Sequence, residues 1–221
     1  MKNTKMIEML ESGKIEELKK ALQDEIYAES LKSKPGAKQR YTAMKKYFSY
    51  VNSSRECLQK PCVVEYDGKD VTSFTNSWSL VLTSEDTGEI GLFDKEKGNY
   101  PDVTRLLVFK GNKTKLDFNK VIAEAKSKGY RLNKAEVGPG FKYLMLYDGS
   151  YYKIGLLDAT YGIINDGEPA LIFKEEGPCK TLTIQNDIGV CLVMPVRIEG
   201  DPEEEGNIVI EVKWGDKIYG C

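Results

Sequence analysis

The residues of this chain whose type and spacing could do chemistry are cations in two runs. Lys32, Lys34, Lys38, Arg40, Lys45 and Lys46 follow one another with no Asp or Glu between them. Lys110, Lys113, Lys115, Lys120, Lys126, Lys128, Arg131 and Lys134 stand against only Asp117 and Glu124. The net charge of the 221 residues is -2, so positive charge is concentrated locally in an acidic chain, and acids collect at 85–102 and 199–205. Cations grouped in this way can neutralise phosphate groups without reading bases. The competing reading is that the lysines only solvate exposed helix faces.

The rest of the composition narrows the chemistry further. There is no histidine, which removes Ser-His and Cys-His nucleophile pairs, histidine general bases and imidazole metal ligands. No phosphate-binding Gly-x-x-x-x-Gly-Lys loop, Gly-x-Ser-x-Gly elbow or dinucleotide fingerprint occurs. The sequence therefore points to a protein that is not an enzyme, with no cofactor, although carboxylate or lysine chemistry stays open. Cys57, Cys62, Cys179, Cys191 and Cys221 are odd in number and lack Cys-x-x-Cys spacing, so neither a disulfide framework nor a metal site is expected. No apolar run reaches the ~20 residues of a membrane span, and the first ten residues turn acidic where a secretory leader would be apolar. A soluble, cytoplasmic protein is the expectation.

Elements must position the cations. Residues 4–31 read as helix, with Ile7, Leu10, Ile15, Leu18, Leu22 and Ile26 at three- and four-residue steps and a break at Ser12-Gly13. This segment is either packed on the domain or an arm that docks on a partner. Lys34-Pro35-Gly36 closes it. A helix is expected over 41–53 and another over 117–128, stopped by Gly129. Strands are expected at 62–66, 71–74 and 78–83, then 143–147, 151–157, 170–173, 180–184 and 190–196. Asp67-Gly68 and Asp148-Gly149 mark hairpins. Residues 158–165 read equally as helix or strand. Helix then strands, twice, with antiparallel hairpins, is an α+β pattern.

The run Val190–Ile198 ends in Met194-Pro195-Val196-Arg197-Ile198. It resembles the closing sequence of bacterial DNA sliding clamps, the beta subunits of DNA polymerase III, which end in a Met-Pro-Met-Arg-Leu type tail. Tyr100-Pro101-Asp102 with Arg105 and Leu107 is similar to the linker between clamp domains. Ile154–Ile164 followed by 169–173 is similar to the last helix-plus-strand unit of a clamp. Asp67–Leu80 matches the family's Thr-Asp-Gly segment only at Thr75 and Leu80. Two features depart from the pattern: Thr75 and Pro101 are too close to enclose the helix-and-strands half found between them in clamps, and the chain continues past the tail with an acidic turn and a strand-like segment at 207–214.

The resemblance implies a DNA-clamp-like α+β domain over 38–198, with an N-terminal helical segment and linker at 1–37 and an extension at 199–221 that could cover a sheet edge. It implies a replication or processivity accessory factor that binds duplex DNA non-specifically through its helices, with Lys38, Arg40, Lys45, Lys46, Lys120, Lys126 and Lys128 on phosphates. Met194, Pro195, Val196 and Arg197 would contribute to a pocket for peptides from DNA polymerase or other clamp-binding proteins. A ring in this family needs six domains, so this chain would act as a homo-oligomer or join another clamp. The alternative is a protein-protein interaction adaptor with the same fold and no DNA binding.

Overall fold

The computed structural model describes residues 3–50, 55–107 and 109–213. Residues 51–53 and Trp214, included in the elements expected above, lie outside them. The helices are α1 (Asn3–Glu11), α2 (Ile15–Ser30), α3 (Ala37–Tyr50), α4 (Phe118–Ser127), α5 (Lys134–Val137) and α6 (Ile154–Tyr161). The strands are β1 (Cys62–Tyr66), β2 (Lys69–Thr75), β3 (Ser79–Thr83), β4 (Asn112–Leu116), β5 (Tyr143–Tyr147), β6 (Ser150–Lys153), β7 (Ala170–Lys174), β8 (Leu182–Gln185), β9 (Gly189–Val193) and β10 (Ile208–Val212). The architecture is α+β.

Seven strands form an antiparallel sheet in the order β1-β2-β3-β9-β8-β7-β4. Two three-stranded meanders, β1-β2-β3 and β7-β8-β9, thus meet through their last strands, with Val81 opposite Cys191. That seam is close: a Cβ on Gly189 would lie 2.2 Å from the carbonyl oxygen of Leu82. The Asp-Gly pairs turn as expected. Asp67 and Gly68 have φ 57° and 70°, and Asp148 and Gly149 have φ 46° and 70°, the two left-handed residues of a type I′ turn.

The seam strands are buried on both faces, and alternation sorts their side chains. Val81, Cys191 and Val193 point into the main core with the helices. Leu80, Leu82, Val190 and Leu192 point the other way, into a smaller cluster closed by Val103, Tyr100 and Leu107. The acidic loop after β3 is therefore the lid on the second face of the sheet.

One element departs from the strand reading of 151–157. The strand stops at Lys153 and Ile154–Tyr161 is a helix. Ile154, Gly155, Leu156, Leu157, Ala159, Thr160 and Tyr161 are all buried, so this helix has no polar face and shows no 3.6-residue pattern. Gly155 lets α5 approach, since a Cβ there would sit 2.5 Å from the backbone of Glu136. The helix that accompanies β7-β8-β9, as α3 accompanies β1-β2-β3, is α6 and not the basic 117–128 helix.

The domain limits expected at 37/38 and 198/199 are not breaks in packing. Leu31 belongs to the main core, as does Ile210. The break at Ser12-Gly13 is present, with Gly13 at φ 70°, and α2 packs on α3, where Tyr27 meets Tyr41 edge-on at 4.9 Å between ring centres. The C-terminal extension covers an edge: β10 pairs parallel with β5 in a second sheet, β10-β5-β6.

Candidate nucleic-acid interface

Helix α3 carries three faces, and its sequence sorts them. Ala37, Arg40, Tyr41, Met44 and Tyr47 are buried, at the three- and four-residue steps of one helical stripe. Lys38 and Lys45 look toward α2. Gln39, Thr42, Ala43, Lys46 and Tyr50 line a groove of about 700 Å³ whose opposite wall is Asn119 and Lys126 of α4 and whose floor is Asp158, Ala159 and Gly162 of α6 and its end.

The opposite wall is held by local capping. Asp117 accepts hydrogen bonds from the N–H groups of Asn119 and Lys120, satisfying the first turn of α4. Gly129 at φ 97° ends it. Asn165 donates from Nδ2 to Oδ1 of Asn119 at 2.7 Å, tying the start of α4 to the loop after α6.

The seven predicted phosphate contacts have different fates. Arg40 is withdrawn from the surface: it is 5% exposed, donates from Nη2 to Oε1 of Glu85 at 2.7 Å, and donates from Nη1 to the carbonyls of Pro35 and Asn165 at 3.3 Å each. A guanidinium so committed holds the fold and is not available to a phosphate. Lys38 pairs with Glu29 at 2.9 Å, and Lys45 pairs with Asp24. Lys120 pairs with Asp117 at 3.6 Å and Lys128 with Glu124 at 3.2 Å. Among the described residues, Lys46 and Lys126 are in no ion pair, are exposed, and face one groove from two elements.

The cation run of 32–46 contains no acid in sequence, but α2 supplies two from its side. Burial would raise the carboxyl of Asp24, but hydrogen bonds from Lys45 and Tyr41 outweigh it and hold the group below the usual carboxylate range. Lys32 and Lys38 likewise hold Glu29 below it. Positive charge on α3 is thus paired with acids of α2 on one side, whereas toward the groove Lys46 is in no ion pair and shares the lining with Lys126, Asp158 and Asp166.

Asp158 opposes that charge from the floor. Burial raises its carboxyl above the ordinary value, against the hydrogen bond that Tyr130 donates and the nearby charge of Lys126. The Tyr130 hydroxyl is 3.0 Å from Oδ2, and burial together with Asp158 raises the phenol in turn. Sequence reasoning did not single out Asp158, because 158–165 read equally as helix or strand and no local pattern set its side chain beside the basic helices.

The Met194–Arg197 segment is a strap between the two sheets. The N–H of Met194 donates to the carbonyl of Trp78 at 2.9 Å, and that of Val196 to the carbonyl of Tyr151 at 2.7 Å. Met194 packs against the smaller cluster, Pro195 is half-buried, and Arg197 is exposed with its Nε 3.9 Å from Glu199. Beside the strap, Trp78 is 63% exposed. Its place there follows from the turn at Asn76, whose side chain accepts from the N–H groups of Trp78 and Ser79. The strand pattern alone did not single it out.

Among the described residues, no group of three His, Cys, Asp or Glu could hold a metal ion, and no helix is long and apolar enough to cross a membrane. Comparison with protein-family models, curated proteins and solved structures yields no match.

Proposed function

We propose that this protein is a non-catalytic, DNA-clamp-like accessory factor of replication that holds duplex DNA non-specifically against the groove between α3 and α4. It would act in the cytoplasm, with DNA polymerase or other clamp-binding proteins as partners and several copies around the duplex. The observation that carries this reading is the meeting of Lys46 and Lys126, from separate elements, on the two walls of one open groove. The clamp-like tail residues and the two meanders meeting side by side add support.

Two lysines facing a polyanion predict weak, salt-sensitive binding, because each phosphate neutralised releases condensed counterions. Fluorescence anisotropy with labelled duplexes of several unrelated sequences tests it. Affinity should be similar for all of them and should fall steadily between low and physiological salt. Binding that ignores salt, or no binding at low salt, removes the reading.

A second reading is a protein-protein adaptor without DNA binding. It is favoured by Trp78, a large aromatic left exposed beside Met194 and Pro195. Exposed tryptophans of this kind anchor protein contacts.

A further inference from the structure

The larger sheet has two faces, and the groove belongs to only one of them. Ile172, Leu182 and Ile184 point into the main core with residues of α3, α4 and α6, so alternation turns Leu171, Phe173, Thr183 and Gln185 to the opposite face. The pairs Lys113–Phe173 and Lys115–Leu171 bring two lysines of β4 alongside β7 on that face. Tyr100, Val103 and Leu107 close it over β3 and β9. Toward the β4 edge Leu171 and Phe173 stay partly accessible, and Lys113 and Lys115 are exposed.

Phe109 completes this corner. Gly111, at φ 90°, brings the chain across the end of β7, where a Cβ would lie 2.1 Å from the carbonyl oxygen of Lys174. Phe109, 38% exposed, then stands edge-on against Phe173 with the ring centres 5.2 Å apart. The Nζ of Lys113 lies 5.8 Å from the centre of the Phe173 ring. Charge and aromatic surface are thus side by side, as phosphate and base are along a nucleic-acid strand. Lys110, Lys113 and Lys115 are exposed and in no ion pair among the described residues. Of the acids directly beside these strands in the chain, Glu175 pairs with Lys180 at 3.5 Å, Glu176 accepts from Nδ2 of Asn112 at 3.4 Å, and Asp117 caps α4. From this arrangement we infer a second nucleic-acid site: the β4–β7 corner of the sheet binds single strands, with bases stacked on Phe109 and Phe173 and phosphates on Lys110, Lys113 and Lys115.

The chemistry selects a single strand over a duplex. Paired bases hide their faces inside the stack, whereas every unpaired base offers one, and stacking on aromatic side chains tolerates any sequence. Lysines on an edge strand also deter pairing with other chains, but that role needs no accessible aromatic pair beside them. The site shares no residue with the groove between α3 and α4 and does not rest on it.

The test is fluorescence anisotropy of the full chain with a labelled oligothymidylate of about 15 nucleotides, a length one single-strand-binding domain can cover. Binding is expected at low salt and should survive K46Q with K126Q, which separates this site from the groove. K113Q with K115Q should lower the slope of log affinity against log salt by about 1.4, the value for two phosphates of a single strand. F109A should weaken binding at least about fivefold at an unchanged slope, and F109Y, which keeps the ring, should bind like wild type. An oligouridylate of equal length assigns the strand as RNA if it binds more tightly and as DNA if less, and either supports the site. Absence of binding at low salt overturns the proposal, as does binding that K46Q with K126Q abolishes and K113Q with K115Q spares. An F109A variant that binds like wild type, or polyglutamate that competes equally at matched charge, reduces the corner to charge alone and overturns it too.

Discussion

The guanidinium of Arg40 lies 2.7 Å from the carboxylate of Glu85, locking the first turns of α3 to the acidic loop that follows β3. Both partners come from runs whose charges look like surface charge in the sequence, yet this ion pair is largely withdrawn from water. Removing one partner of such a pair leaves the other charge desolvated. Arg40→Met should therefore destabilise the fold by about 3 kcal/mol. Urea denaturation checks this, with the midpoint expected to fall at an unchanged slope.

The groove lysines and the outer lysines of α3 should separate in a salt titration. Lys46→Gln combined with Lys126→Gln should reduce the slope of log affinity against log salt by about two, one for each phosphate that is no longer neutralised. Lys38→Gln combined with Lys45→Gln should leave the slope nearly unchanged, because Glu29 and Asp24 already balance those cations. Equal effects of the two double variants would dissociate DNA binding from the groove.

Asp158 gives the groove a pH dependence of defined sign. Its carboxyl is raised in the folded protein by burial, so the native state holds the proton more tightly than the unfolded chain. Its contribution to stability is most favourable below the unfolded value, about 4. That contribution is lost as pH rises toward the raised native value, and above both it is a constant penalty. Asp158→Asn should accordingly raise the thermal midpoint at pH 7 and change little at pH 3. It should also strengthen DNA binding at pH 7, since a negative charge leaves the floor between Lys46 and Lys126. Melting curves at the two pH values and anisotropy at pH 7 measure these effects.

Among the described residues, Lys174 is buried like Arg40. Its Nζ donates to the carbonyls of Asp148, Glu175 and Gly177 at 2.8, 3.1 and 2.9 Å, and lies 3.0 Å from Oδ2 of Asp148. The ammonium joins the β5-β6 turn to the end of β7 and has no exposed side-chain area. Lys174→Met should cost about 3 to 5 kcal/mol, because three carbonyls and a carboxylate lose their donor. Chemical denaturation tests this, and preservation of full stability would mean that water replaces the ammonium.

The sequence was most legible where a local rule acts alone. The Asp-Gly hairpins, the Gly129 stop and the break at Ser12-Gly13 each follow from the backbone demands of one or two residues. Periodicity gave only half of helix α6: it read 154–157 as strand and left 158–165 open between helix and strand, because burial of nearly every side chain erases the amphipathic period that marks a helix. The groove was half legible: its cations were visible as runs, but a run cannot show that α2 lays Asp24 and Glu29 against Lys45 and Lys38. Nor can it show that Arg40 turns inward while Lys46, six residues on, turns out. Those outcomes depend on which helix packs beside α3, a long-range property with no local signature.

The strand β10 lies beside β5, with Ile208 in register with Tyr143, and it pairs in the parallel sense. Everything that builds the groove leaves the ribosome before this strand exists. Until then β5 presents an unpaired edge, a template on which another nascent chain can add itself. The space taken by Ile210 in the main core also stays unfilled. Parallel pairings across a long connection form slowly. While β10 is undocked the β5 edge is open to intermolecular pairing, and the acidic turn at 201–205 that precedes β10 carries like charge that disfavours it.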